Sequence, residues 1–210
     1  RAFLVSLHQG VADNVNFGLT GKGGLFANPS RPERNFDWGD FSVWTKISLL
    51  KERDSFPSIG LRSGIKLPNT RYVPSRLGTN QMDFHSQLLV TGRKSDIEIR
   101  TVVGFSILGD PRTAGFQDDV YKLQTAFIIP VLETTTTFFE LIAQTGYQDH
   151  DDKLVSRFGI MQLSQEFVWY LFCSARLAGN NRDFATAFEL SENWSIGFFV
   201  QKDLEIDLWD

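Results

Sequence analysis

The stretch from residue 95 to residue 109, SDIEIRTVVGFSILG, alternates between apolar and polar side chains. Its odd positions from Ile97 to Ile107 are apolar apart from one threonine, whereas its even positions from Asp96 to Ser106 carry charges and small residues apart from one valine. A period of two residues is typical of an extended strand with one apolar and one polar face. The chain must therefore supply something against which that apolar face can pack.

The same alternation recurs along the chain and predicts about twelve strands with no helix. The segments are 2–8, 14–20, 41–49, 57–67, 82–91, 97–107, 121–129, 137–147, 154–161, 167–177, 184–190 and 194–200. Residues 167–178 are long enough for a helix, but their β-branched and aromatic content favours a strand. Between the fifth and sixth segments the spacing predicts a two-residue turn at Arg93 and Lys94, which pairs Gln87 with Arg100.

The connections between these segments alternate in length. Short links are predicted near Gln9, Lys51, Arg93, Leu132, Ser164 and Glu192. Longer links are predicted at 21–40, 68–81, 110–118, 148–153 and 178–183, and we expect the first of these to be an exposed loop because its Gly, Pro and Asn residues show no periodicity. Short turns on one rim and longer loops on the other are typical of outer-membrane barrels.

Charged and polar residues occupy the other face of the strands. They are Lys46, Arg62, Lys66, Asp83, His85, Glu98, Arg100, Lys122, Glu140 and Arg157. A soluble barrel or sandwich would turn this face to water, whereas a membrane barrel would turn it to the lumen and the apolar face to lipid. We predict an all-β fold, an antiparallel transmembrane β-barrel of about twelve strands, with those ten side chains lining the lumen.

Composition narrows the remaining possibilities. The 210 residues are enough for one domain, so we expect a single barrel spanning 1–210, and the net charge of -4 argues against nucleic acid as a partner. A single cysteine, Cys173, excludes an internal disulfide framework. If the long loops are extracellular, the first strand runs towards the periplasm, so we expect the chain to lack an N-terminal segment.

Several short motifs resemble one family of outer-membrane barrels. They are NVNFGLTG, GDFSVWTKISLL, FPSIGLRSGIKLPN, LGTNQMDFHSQLLV and FSILGDP, within residues 13–163. They resemble the barrels described as transporters of the phenol meta-pathway degradation type, in which a Lys-Leu-Pro triplet, here residues 66–68, precedes a Gly-Thr loop, here 78–79, and an Asp, here Asp83, opens the next strand. The resemblance implies a bacterial outer-membrane location and a transport role; the end of the chain, KDLEIDLWD, departs from the family's aromatic last strand.

No catalytic or metal-binding pattern is visible in the sequence. The three histidines, His8, His85 and His150, lack metal-ligand spacing, and Ser86 points to the opposite face from His85. Residues 149–152 form an acidic loop tip, solvated or binding a divalent cation. We therefore expect no enzyme, no cofactor and no metal site.

Three functions remain open. The first is a passive channel or transporter of small molecules, with the inward cations lining a path that attracts anions. The second is a structural barrel that anchors envelope proteins, with the same charges paired into a network that blocks a narrow lumen. The third is a soluble binding module. Outer-membrane lipid is the expected partner in the first two cases.

Overall fold

The computed structural model describes residues 2–28, 31–53, 56–69, 78–109, 117–146, 152–164, 167–179, 188–191 and 194–202. These residues form twelve β-strands, and none of them is helical. The strands are β1 (Ala2–Ala12), β2 (Val15–Asn28), β3 (Arg31–Leu50), β4 (Ser58–Leu67), β5 (Asp83–Lys94), β6 (Ile97–Gly109), β7 (Gln117–Leu132), β8 (Thr135–Gly146), β9 (Lys153–Ser164), β10 (Phe167–Gly179), β11 (Phe188–Ser191) and β12 (Trp194–Lys202). The predicted all-β antiparallel fold is confirmed, and residues 167–178 are a strand.

The predicted exposed loop at 21–40 is wrong. Strands β2 and β3 continue as a long antiparallel hairpin, paired from Gly21 with Phe41 to Asn28 with Arg31. The register shifts twice along this hairpin, between Gly21 and Gly23 and between Ala27 and Asn28. The first shift leaves one extra residue on β3, as in a β-bulge, so the pairing continues although the two-residue period is interrupted.

The predicted turn at Arg93 and Lys94 is also wrong. Strand β5 runs on to Lys94, and the turn consists of Ser95, whose φ is 55°, and Asp96. Gln87 consequently lies against Gly104, not against Arg100. The turn moved by two residues, so every side chain kept its predicted face, since the faces of a strand repeat with that period.

The strand order follows the sequence up to β10 and then changes. Strand β10 pairs with β12, and the short strand β11 lies on the far side of β12 at the edge of the sheet. Because β12 begins at Trp194 opposite Ala175, the link near Glu192 lies at the opposite end from the short link between β9 and β10. The predicted alternation of short and long links therefore fails at this hairpin, and it also fails between β2 and β3, which only two residues separate.

Contacts between Cα atoms divide the chain into two compact units. The first comprises Arg1–Val90, Val102–Lys122 and Gly146–Gln148, and the second comprises Thr91–Thr101, Leu123–Thr145 and Asp149–Asp210. Strands β5, β6, β7 and β8 contribute residues to both units.

The two faces of the sheet have opposite chemistry. We call the face that carries Trp44, Arg62, Glu140 and Arg157 the polar face, and the other the apolar face. Among the described residues Val120 and Val155 are the only buried hydrophobic side chains, whereas the buried polar residues are Asp40, Asp83, Asp118, Glu140, Ser174 and Ser195. Large hydrophobic side chains on the apolar face are exposed in nearly every strand.

No helix in the described part of the chain has the length and hydropathy needed to cross a membrane.

Candidate functional site

A tryptophan on β3 organises the polar face of the first unit. Trp44 pairs directly with Gly18 on β2 and with Gly64 on β4. Its indole ring lies over Gly18, where a Cβ atom would come within 2.2 Å of the ring, and its own Cβ lies 2.9 Å from the equivalent position at Gly64. The Arg62 guanidinium lies over the indole, with Cζ 4.3 Å from the ring centroid, which is a cation–π contact. Glycines on both neighbouring strands thus let the ring lie flat and support the arginine.

The second unit repeats this arrangement with phenylalanines. Phe172 on β10 pairs with Gly159 on β9 and with Gly197 on β12. The Phe172 ring lies over Gly197, and Arg157 stacks on the same ring, with Cζ 4.7 Å from the centroid. In both units the arginine lies two residues before a glycine on one strand, and the ring that it contacts lies on a neighbouring strand. The Arg-x-Gly spacing at 62–64 and 157–159 is thus the local sequence signal for this packing.

A row of polar side chains crosses the second unit beside these rings. Glu140 on β8 pairs directly with Arg157 on β9, and Arg157 Nη1 donates a hydrogen bond to Glu140 Oε2 at 2.8 Å. Gln124 Nε2 donates to the other carboxylate oxygen of Glu140, and Arg157 Nε donates to Ser174 Oγ at 3.4 Å. The Glu140 carboxylate is almost fully buried, so these donors supply the partners that a buried charge needs.

A second buried carboxylate lies in the first unit where β4 ends and β5 begins. The Asp40 side chain is 3% exposed, and Lys66 Nζ lies 3.7 Å from its Oδ2 atom. Lys66 also contacts the carboxylate of Asp83 and donates to Thr79 Oγ1 at 2.5 Å. Asp83 Oδ1 in turn accepts a hydrogen bond from the backbone N–H of Gly109 at 3.0 Å.

Asp40 also holds both ends of the connection between β4 and β5. Its carboxylate accepts hydrogen bonds from three backbone N–H groups, those of Asn69 at 3.0 Å, Thr79 at 2.8 Å and Asn80 at 3.1 Å. A Cβ atom at Gly78 would lie 2.4 Å from the same carboxylate, so only glycine allows this close approach. The described ends of this connection are therefore fixed on β3.

The ten residues predicted for the lumen all occupy the polar face, in three kinds of surroundings. Ion pairs join Lys66 to Asp83, Glu140 to Arg157, and Glu98 to both Arg93 and Arg100. His85 Nδ1 is hydrogen-bonded to Ser106 Oγ at 2.8 Å, and Lys122 lies on the same face of β7 as Gln124. Lys46 is exposed beside Arg62. That these residues line a lumen stays a prediction.

Sequence reasoning missed several residues of these clusters. Asp40 was assigned to the predicted loop, although the even-numbered face of β3 continues from Lys46 and Trp44 back to it. Trp44 and Ser174 also lie on the polar face, but they are uncharged, and the site residues were predicted from charge. Residues 149–151 of the predicted acidic tip lie outside the described part of the chain, and Asp152 accepts a hydrogen bond from Thr145 Oγ1 at 2.7 Å.

The clusters offer hydrogen-bond donors and charge, together with one serine–histidine contact, that of Ser106 Oγ with His85 Nδ1. Among the described residues no group of three or more His, Cys, Asp or Glu side chains has the geometry to hold a metal ion. Neither a protein-family model nor a curated protein matches this chain.

Proposed function

We propose that this chain is a transmembrane β-barrel of a bacterial outer membrane and acts as a passive channel or transporter of small molecules. The observation that carries the proposal is a burial pattern opposite to that of a soluble protein: carboxylates are buried on one face of the sheet, and hydrophobic side chains are exposed on the other. A soluble protein rarely leaves a contiguous apolar surface larger than a few hundred Å² uncovered. Lipid would cover this face along every strand.

The composition of the apolar face supports lipid as the covering medium. No Asp, Glu, Lys or Arg occurs on this face in β4, β6, β10 or the part of β3 from 41 to 49. In β6 it reads Ile97, Ile99, Thr101, Val103, Phe105 and Ile107. The interior of a bilayer excludes charge, so uninterrupted apolar positions over a crossing of about ten residues fit a membrane barrel.

Aromatic side chains lie near both ends of the strands. Phe167 and Trp169 follow the short link that precedes β10, and the Trp169 ring packs against Phe198 on β12. Trp194 at the start of β12 and Tyr121 near the start of β7 are exposed at the opposite ends of the strands. Aromatic belts at the two membrane interfaces have this distribution.

The ion pairs join residues of the same strand or of neighbouring strands, and this supports a channel. The side-chain contacts of Lys66, Glu140, Arg157 and Glu98 join residues on the same strand, on hydrogen-bonded neighbouring strands or on the connection beside them. Such contacts lie along the wall of a barrel. A network that blocked the lumen would instead have to join strands that are not neighbours in the sheet. A barrel of this strand number has a modest lumen, which suits small solutes.

Two measurements test the proposal. The protein refolded into lipid vesicles is expected to migrate as a compact, heat-modifiable band in gel electrophoresis and to give discrete conductance steps in planar bilayers. A protein that is monodisperse in buffer without detergent would contradict the membrane barrel and favour the soluble binding module.

A structural barrel that anchors envelope proteins is the second candidate. The observation in its favour is the neutralisation of Lys66, Arg100 and Arg157 by carboxylates, which stabilises the wall and removes charge from a permeation path. Heat-modifiable protein without any conductance, recovered from cross-linked membranes with a second envelope protein, would support this candidate over the channel.

A further inference from the structure

Two cations on the polar face differ from the others. Among the described residues no carboxylate oxygen lies within 4.0 Å of the charged nitrogens of Lys46 or Arg62, whereas Lys66, Arg100 and Arg157 each have such a partner. Lys46 and Arg62 are also direct partners across β3 and β4. Like charges opposite each other on one face of a sheet destabilise it, so this pair is a local cost that the fold retains.

The Arg62 guanidinium lies against an aromatic ring. The Arg62 Cζ atom lies over the Trp44 indole, 4.3 Å from the ring centroid, and the ring itself fits where Gly18 has no Cβ atom. In the described part of the chain no acceptor receives a hydrogen bond from the Arg62 side chain. The N–H groups of this guanidinium are therefore available, and their fork matches the two oxygens of a carboxylate or phosphate group.

Lys46 adds a second charge that a solute can reach. It lies on the same face of β3 as Trp44, two residues further along the strand, and it is exposed. An ammonium group on a flexible stem complements the fixed fork of Arg62, because it can follow the position of a bound oxygen atom. An oxyanion between the two would also remove the repulsion between them.

We propose that Lys46 and Arg62, with Trp44 as the support, form a binding site for the oxyanion group of a small solute, a carboxylate or a phosphate. The inference builds on the proposed barrel, since a lumen gives the solute its access to this face. The proposed channel would therefore prefer anionic solutes. Lys66, Arg100 and Arg157 are excluded from the site because their charges are already compensated.

The test uses inorganic phosphate as the probe and the full chain refolded in a zwitterionic detergent. Broadening of the ³¹P resonance during a phosphate titration gives the dissociation constant for the wild type, Lys46→Gln, Arg62→Gln and Lys51→Gln. The last variant removes the same charge from the connection after β3 and serves as the matched control. Loss of the charged hydrogen bonds at Arg62 is expected to weaken binding by about tenfold or more, and loss of the exposed Lys46 by roughly threefold.

A further variant and a competition experiment complete the test. Arg62→Lys retains the charge and loses the fork, so it is expected to bind phosphate more weakly than the wild type even if Arg62→Gln fails to fold. Acetate is expected to displace phosphate if the site accepts both oxyanions, whereas a site for phosphate alone would leave the resonance broadened. Either pattern supports the site and identifies which solutes it accepts.

Wild-type protein that does not broaden the resonance, or Lys46→Gln and both Arg62 variants that bind as tightly as Lys51→Gln, would overturn the inference. Phosphate binding that depends on Lys46 and Arg62 in a protein without conductance would overturn the channel and leave the site standing. Conductance without phosphate binding would overturn the oxyanion site and leave the channel standing.

Discussion

A matched pair of arginine substitutions on β6 separates a membrane barrel from a soluble sheet. Val102 and Val103 are adjacent valines, and Val103 is 50% exposed on the apolar face whereas Val102 lies on the polar face. On a soluble sheet Val103→Arg would place a charge in water and change the free energy of unfolding by about 0.5 kcal/mol or less. In a membrane barrel the same change places the charge in hydrocarbon.

The position of Val103 sets the size of the expected effect. It is the seventh of the 13 residues of β6. Six residues on either side, at about 3.3 Å each and with a tilt of about 40°, cover about 15 Å along the membrane normal. This equals half of a hydrocarbon layer about 30 Å thick, so Val103 would lie close to the midplane of the proposed barrel. An arginine at the midplane of a barrel costs about 2 to 4 kcal/mol.

Reversible urea unfolding from lipid vesicles measures this difference. Val103→Arg is expected to lower the free energy of unfolding by about 2 to 4 kcal/mol, and Val102→Arg by about 1 kcal/mol or less, because in the proposed barrel the charge at position 102 faces an aqueous lumen. If the two variants lose the same stability, the face assignment is wrong and the membrane barrel falls with it.

Three further predictions concern the polar face, each measured by the same unfolding assay or by amide exchange. Gly159→Ala is expected to cost about 1 to 3 kcal/mol, since its Cβ would lie 2.5 Å from the Phe138 ring and 2.6 Å from the backbone oxygen of Leu171. Gly10→Ala, where the nearest atom is 3.5 Å away, should be neutral, and equal losses would refute the packing. Arg157→Met should cost about 3 kcal/mol by stranding the Glu140 carboxylate, and adding Glu140→Gln should recover part of that loss; additive losses would contradict a coupled pair. Asp40→Ala is expected to speed amide exchange at Thr79 and Asn80 by removing their acceptor, an effect worth about 1 to 3 kcal/mol, while unchanged exchange would show that the carboxylate does not hold this connection.

The candidate site was only partly predictable from the sequence. The alternation of residues along each strand placed Lys46, Arg62 and Glu140 on one face correctly, because successive side chains of a strand point to opposite faces. It did not reveal which cations are neutralised. Glu140 meets Arg157 and Lys46 meets Arg62 through register, and an even shift of a strand keeps every face while exchanging all of its partners.

The sequence by itself determined that this protein is a sheet with one charged and one apolar face, and it located the twelve strands of the described residues. Both follow from a two-residue period that each strand carries locally. Tertiary structure alone decided that β12 pairs with β10 outside the order of the chain, that β2 and β3 continue through irregular pairing, and that Trp44 and Phe172 lie over glycines of neighbouring strands. These features depend on contacts between segments distant in sequence, for which local alternation holds no information.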